Sequence, residues 1–211
     1  MKYKTYIQSL LTQERKAFTD EALERFPFIE IFKSVNGFDR DEVIEEFLKL
    51  DIKYHHLKLN NKGNLWKWFH TYGTLACWIT KVKFLQFQIS NKIPYALLLE
   101  DDLKISDDFF LGFDNIMKNK WHRLDEKINI IRLFTWGEGY LTSLSSAKRT
   151  YQLIKKNGVI GNIDDQFRDN CGPELKLKFN NYYNKLIETN LGDIGKTPSL
   201  DDYFYKSISL S

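Results

Sequence analysis

The stretch Pro94-Tyr95-Ala96-Leu97-Leu98-Leu99-Glu100-Asp101-Asp102 decides how this chain reads. An apolar run follows a proline and ends in three consecutive acids. A strand of Ala-Leu-Leu-Leu is apolar on both of its alternating faces, so it belongs inside a sheet covered on both sides. The acids then leave at the carboxyl end of the strand, which is where open α/β sheets bind their ligands. Adjacent carboxylates repel one another and are costly to desolvate, and a cation relieves both. Hard divalent ions such as Mg²⁺ or Mn²⁺ take carboxylate oxygens and complete their shell with a ligand's phosphates. Glu100 and Asp102 have the acid-x-acid spacing that lets both reach one ion, directly or through water. Acids after a strand also solubilise loops or cap helices, and "EDD" by itself leaves that reading open.

Working outward, strands and helices alternate. "KYKTYIQSL" (2–10) alternates and is β-rich, so it reads as a strand. "TDEALERF" (19–26) reads as a short helix with Thr19 as cap, stopped before Pro27. "FIEIFKSV" (28–35) is a second strand closed by the turn pair Asn36-Gly37, and 39–50 is an amphipathic helix capped by Asp39. Residues 51–72 read as a polar and aromatic loop, and 73–90 as a long buried helix. After the quoted strand come a helix at 106–119 capped by Ser106, a strand at 127–134, a short strand "GYLTSL", and a helix at 145–158 ended by Gly158. In the tail, "ELKLKF" is an edge-strand candidate and "DDYFYKSIS" a docking segment. This order predicts one α/β domain over 1–211 with a mostly parallel central sheet flanked by helices.

Composition bounds the function. A net charge of +3 over 211 residues gives no argument for nucleic acid. No window reaches the roughly 18 apolar residues of a membrane span, and the N-terminus has no apolar core of a signal peptide. Cys77 and Cys171 have no metal-type spacing and form no disulfide framework, which points to reduced thiols and a cytoplasmic setting. The histidines at 55, 56, 70 and 122 show no ligand spacing, and His55-His56 reads as a solvated pair.

Four stretches together resemble a known family, in that family's order: "IQSLLTQERKAF", "FPFIEIFKSVNGFD", "GTLACWITKVKFLQFQISNKIPYALLLEDDL" and "YLTSLSSAKRTYQLIKKNGVIGNIDDQF". The family is glycosyltransferase family 25, the lipopolysaccharide- and collagen-type galactosyltransferases of the GT-A (Rossmann-like) fold. The resemblance covers about 1–168, and the third stretch, similar to the family's Gly-x-x-Gly-Cys helix followed by its "LEDD" strand, is the most specific. The family helix carries Ser-His where this chain has Thr80-Lys81. A more distant resemblance is to the glycosyltransferase domains of chlorella-virus proteins that glycosylate capsid protein. The Lys-, Asn-, Phe- and Tyr-rich composition and the abrupt end at "SISLS" raise the expectation of a longer viral protein, acting in the host cytoplasm.

The resemblance implies a nucleotide-sugar donor, UDP-linked, with Mn²⁺ or Mg²⁺ bridging protein acids and diphosphate, and a glycan or glycoprotein acceptor. It implies a nucleotide-binding part at about 1–105 and an acceptor-side part at about 106–211. By the same match Asp102 is a direct metal ligand, and Glu100 acts on the metal through water or on the ribose. Asp101 touches the ribose or only caps. Gln8, Ser9 and Leu10 face the base, and Arg15, on the loop that follows, pairs with a phosphate or stays a surface charge. Asn36 and Gly37 contact base or ribose, or simply turn the chain. On the buried helix, Lys81 or Lys83 points back to neutralise phosphate or anchor Glu100, or both snorkel to solvent. Trp78 is core rather than sugar platform. Asp164 or Asp165, with Asp165 preferred, deprotonates the acceptor hydroxyl if the enzyme inverts, or caps a helix.

Two rivals remain. A nucleotidyltransferase would also use a carboxylate-bound metal, but no Gly-rich phosphate loop follows the first strand. A non-catalytic nucleotide- or glycan-binding domain of the same fold would bind without turnover, and the intact Glu100-x-Asp102 argues mildly against it.

Overall fold

The computed structural model describes residues 2–54, 71–133, 139–176 and 187–189. Its centre is a six-stranded sheet in the order β2-β1-β3-β6-β5-β7. These strands are β1 (Lys4–Ser9), β2 (Ile29–Lys33), β3 (Tyr95–Glu100), β5 (Ile130–Leu133), β6 (Gly139–Ser143) and β7 (Glu174–Lys176). A separate pair joins β4 (Leu103–Ile105), which follows β3 after two residues, to β8 (Ile187–Thr189). The expected mostly parallel sheet is a mixed one. β1 runs parallel to β2 and β3, and β5 parallel to β7, but β6 runs antiparallel to both its neighbours. The reversal follows from chain length: only residues 134–138 lie between β5 and β6, too few for the crossover that a parallel pair needs. β6 passes without a loop into α6 (Leu144–Asn157), and Ser143 and Ser146 close a reciprocal capping box at the junction.

Strand periodicity sorts the core. Leu97 and Leu99 face one side with Ile7, Phe109 and Phe113, while Ala96 and Leu98 face the other with Tyr6 and Phe84. The first side is covered by α1 (Gln13–Arg25), α4 (Phe109–Met117) and α5 (Trp121–Glu126), through Ala22, Phe113 and Leu124. The second is covered by α2 (Arg40–Lys49), α3 (Tyr72–Ser90), α6 and α7 (Ile163–Asn170). Trp78, wholly inaccessible, lies in this second core as expected.

Several boundaries differ from the sequence reading. The first helix starts at Gln13, not at Thr19. Thr19 lies inside it, with its hydroxyl donating back to the Arg15 carbonyl at 3.2 Å, a bond open to threonine within a helix. The helix expected over 106–119 is shorter and starts at Phe109. Ser106 does not cap it; its carbonyl accepts from the Phe109 N–H in a turn at 3.1 Å. Asp39 caps α2 as expected, accepting from the Asp41 and Glu42 N–H groups at 3.1 and 3.0 Å. The elements α5, β4 and β8 have no counterpart in the sequence reading. The "DDYFYKSIS" segment, His55, His56, His70 and most of the 51–72 loop lie outside the described residues. No described helix is long and apolar enough to cross a membrane.

The connections place the site. β1 is followed by β2 on one side, and β3 returns on the other side of β1. The carboxyl ends of β1 and β3 therefore flank a point where the strand order reverses, the crevice in which α/β sheets bind ligands. Gln8 and Glu100 are register partners there.

Candidate functional site

Alternation carries Glu100 to the α3 face of the sheet, because it is two residues on from Leu98 and four from Ala96. Gln8 reaches the same face behind Tyr6. On α3 the stripe that meets the sheet contains two polar residues among apolar ones. Gln88 is mated to Thr142 of β6, accepting from its hydroxyl at 2.6 Å and donating to its carbonyl at 3.2 Å. Lys81 is two turns earlier, and its side chain is 1% accessible.

A buried ammonium needs charge partners, since desolvating it unpaired costs several kcal/mol. Lys81 has two. Its Nζ is 3.0 Å from Glu100 Oε1 at the end of β3 and 2.9 Å from Asp164 Oδ1 in the first turn of α7. The Tyr140 hydroxyl of β6 donates to the same Asp164 oxygen at 2.5 Å, and the Tyr140 ring lies 4.8 Å from the ammonium. The Gln8 amide donates to Glu100 Oε1 at 3.3 Å. Burial alone would push the Lys81 ammonium down, but Asp164, Cys77 and Glu100 reverse that and hold it well above an ordinary lysine. Desolvation pushes the Glu100 carboxyl up to about 7, against the pull of Lys81 and with the help of Asp164 and Asp102. Burial likewise raises the Tyr140 phenol.

The second cluster is built around Arg15. It lies in the first turn of α1 rather than on a loop, since that helix starts at Gln13. Its Nη1 is 2.6 Å from Asp101 Oδ1 and 3.4 Å from Asp102 Oδ2. Burial raises the Asp102 carboxyl, with Arg15 opposing. Asp102 Oδ1 is buried with no hydrogen-bond partner, and so is Gln8 Oε1. A buried acceptor left without a donor carries its full desolvation penalty, and a cation supplies what is missing. The donor set suits a hard divalent ion held by one or two carboxylates and completed by a ligand's phosphates. Among the described residues no group of three His, Cys, Asp or Glu side chains converges as a self-sufficient cage. An ion here would take the rest of its shell from the ligand.

The remaining candidates divide. Ser9 is buried; its hydroxyl accepts from the Leu11 N–H at 3.0 Å and its carbonyl from the Ser34 N–H at 2.9 Å. Leu10 lies beyond the end of β1, just before Leu11, whose φ of 55° is left-handed backbone. Asn36 makes a turn, its side-chain oxygen accepting from the Phe38 N–H at 3.1 Å. Gly37 sits against α3, where a Cβ would lie 2.5 Å from the Gly73 Cα. Lys83 faces α2 and pairs with Glu46, away from the acid clusters. Asp164 and Asp165 lie in the first turn of α7 and point to different partners. Asp165 joins the helix cap: its N–H donates to Asn162 Oδ1 at 2.9 Å and its Oδ2 accepts from Asn162 Nδ2 at 2.6 Å. Asp164 turns to Lys81. Sequence reading missed Tyr140 and Gln166. The only signal for Gln166 was its place on the helix after Asn162; it accepts from the Trp78 indole at 2.9 Å and donates to the Gly158 carbonyl at 2.7 Å, tying α7 to α3.

No family model matches the chain, and no curated protein matches it. Among solved structures it is similar to a glycosyltransferase involved in the glycosylation of the major capsid of PBCV-1, with a TM-score of 0.43 and 10% sequence identity over 89% of this chain and 92% of that one.

Proposed function

We propose that this protein is a metal-dependent glycosyltransferase of the GT-A kind that moves a hexose from a UDP-sugar to a glycan or glycoprotein. One observation carries the reading: a single buried cation, Lys81, joins the acid that ends β3 to an acid that opens α7, at the reversal point of the sheet. In this reading residues 1–105 hold the donor and 106–211 present the acceptor. Asp102, with its unpartnered buried oxygen, and Glu100 hold Mn²⁺ or Mg²⁺. When bound, the ion offsets charge on the leaving diphosphate. Gln8, Ser9 and Leu10, with Asn36 and Gly37, border the base and ribose. Arg15 holds Asp101 and Asp102 in place and is within reach of a phosphate that arrives beside them. With inversion at the anomeric carbon, an acid of the α7 first turn, Asp164 or Asp165, takes the acceptor's hydroxyl proton. The free thiols of Cys77 and Cys171 support a reducing compartment, the cytoplasm.

The test is release of UDP from a panel of UDP-hexoses with Mn²⁺ and with EDTA. Metal-dependent release supports the reading; no release from any of them refutes it. A second reading has an observation of its own. Arg15 and Lys81 already neutralise the acids, as they would in a nucleotide- or glycan-binding domain without turnover. UDP binding without UDP release would favour that domain.

A further inference from the structure

Asp164 and Asp165 are neighbours in sequence, but their carboxylates are not equivalent. Asp165 Oδ2 is engaged by Asn162 in the helix cap. Asp164 is anchored through one oxygen only. Lys81 at 2.9 Å and Tyr140 at 2.5 Å both bind Oδ1, and among the described residues no hydrogen bond falls on Oδ2. The Asp164 side chain is 35% accessible, so it is held through Oδ1 while part of it stays open to solvent. The anchor itself does not move freely. The Lys81 side chain is 1% accessible, and its other carboxylate partner, Glu100, is the last residue of β3.

We propose that Lys81 is the positioning residue of this site, holding Asp164 by Oδ1 against the donor edge at Glu100 so that Asp164 Oδ2 faces the acceptor. The proposal rests on the glycosyltransferase reading and selects Asp164 over Asp165 as its base. In the step it serves, the acceptor oxygen forms a bond to the anomeric carbon and its proton passes to Asp164 Oδ2. The bond from that carbon to the diphosphate oxygen breaks, and its electron pair leaves with UDP. A proton then passes from Asp164 to solvent. Lys81 does not touch the reacting atoms. Its ammonium keeps Asp164 aimed through Oδ1, and sharing with Glu100 fixes the distance between the two halves of the site. Tyr140 is the second support, acting on the same oxygen. Removing a lysine that served only to hold α3, β3 and α7 together would not distinguish turnover from donor binding, and removing one that bound the donor phosphate would lower donor affinity.

The experiment measures Mn²⁺-dependent UDP affinity by calorimetry, and kcat and KM for UDP release from the best UDP-hexose of the panel. The proteins are wild type, Lys81→Met, Lys81→Arg, Asp164→Asn, Asp165→Asn, Tyr140→Phe and the Lys81→Met/Asp164→Asn double variant. We expect Lys81→Met and Asp164→Asn each to lower kcat by about 100-fold or more while UDP affinity stays within about threefold, the signature of an interaction needed in the transition state. Lys81→Arg recovers at least about tenfold of the loss, and the double variant is within about threefold of Asp164→Asn, because residues acting as a unit are not additive. Asp165→Asn lowers kcat by at least about tenfold less than Asp164→Asn does. A Lys81→Met kcat near wild type, losses that multiply, UDP affinity that falls as far as kcat, or an Asp165→Asn loss matching that of Asp164→Asn would each overturn the proposal. If Lys81→Met does not fold, Tyr140→Phe decides: a kcat loss of about fivefold or more with UDP affinity intact supports it, and unchanged kcat overturns it. A wild type that releases no UDP from any donor overturns the glycosyltransferase reading, and this proposal with it.

Discussion

Gly37→Ala is expected to destabilise the protein through packing alone. Gly37 has no left-handed φ to protect. An added Cβ would instead lie 2.5 Å from the Gly73 Cα, 3.0 Å from its backbone N and 3.4 Å from the Ala76 Cβ. Carbon atoms in contact sit about 3.5–4.0 Å apart, so the loop after β2 must move off the start of α3 by about 1 Å. The atom it meets is backbone, anchored by the Thr71 cap of α3, whose hydroxyl accepts from the Thr74 N–H at 3.1 Å, so no flexible side chain can yield. Overpacking of this kind costs about 1–3 kcal/mol. For a chain of this size that is a fall in melting temperature of about 2–4 °C per kcal/mol, or about 4–8 °C for the middle of the range. Gly161→Ala is the control, because a Cβ there meets nothing within 4 Å. The assay is thermal unfolding followed by circular dichroism, with urea melts to check that the slope is unchanged. A Gly37→Ala variant melting within about 1 °C of Gly161→Ala would refute the close-approach argument.

Leu97→Ala, at a wholly inaccessible position in central β3, should cost about 2–5 kcal/mol in urea melts, and a loss under about 1 kcal/mol would show that the core between β3 and α4 is not packed as described. The thiols of Cys77 and Cys171 are both pushed up from 9.0 to about 12, by burial in each case and at Cys77 against the pull of Lys81. At pH 8 each holds roughly a thousandth of the thiolate of an ordinary cysteine, so iodoacetamide should label the folded protein far more slowly than the urea-unfolded chain, with the rate still climbing at pH 10. Labelling of the native protein at the unfolded rate would contradict the placement of both residues.

The strands and long helices were legible because their periodicity is strong. "YALLLE" could only be a strand covered on both faces, and "GTLACWITKVKFLQFQIS" could only be a buried helix. The expectation of a mostly parallel sheet missed β6, although residues 134–138 are too few for the crossover that a parallel β5–β6 pair needs; what the sequence does not carry is the pairing of β6 with β3, set by tertiary contacts, with Leu97 opposite Leu141. Short elements escaped for the same reason: β4 is three residues long and exists through its pairing with β8. In the site, the acids of β3 were visible from their position after an apolar run. Lys81 was visible as a charge on an apolar helix, but not its partner Asp164, 83 residues away. Asp165 was the preferred candidate, but "DD" gives no hint of which acid joins the helix cap; the Asn162 side chain engages Asp165. Lys83 and Lys81 are two residues apart on a helix, hence about 200° apart around it, which is why one reaches β3 and the other reaches α2.

The most direct measurement is calorimetric titration of the protein with UDP, with and without Mn²⁺, on wild type and on Asp102→Ala. Asp102 Oδ1 is buried without a partner, and Asp102 is the weaker of the two acids held by Arg15, at 3.4 Å against 2.6 Å for Asp101, so its removal should leave the fold intact. The account predicts that UDP binds wild type only with Mn²⁺ present and that the metal-dependent binding is lost in Asp102→Ala. Equal UDP binding by both proteins, or no UDP binding by wild type in the presence of Mn²⁺, would contradict it.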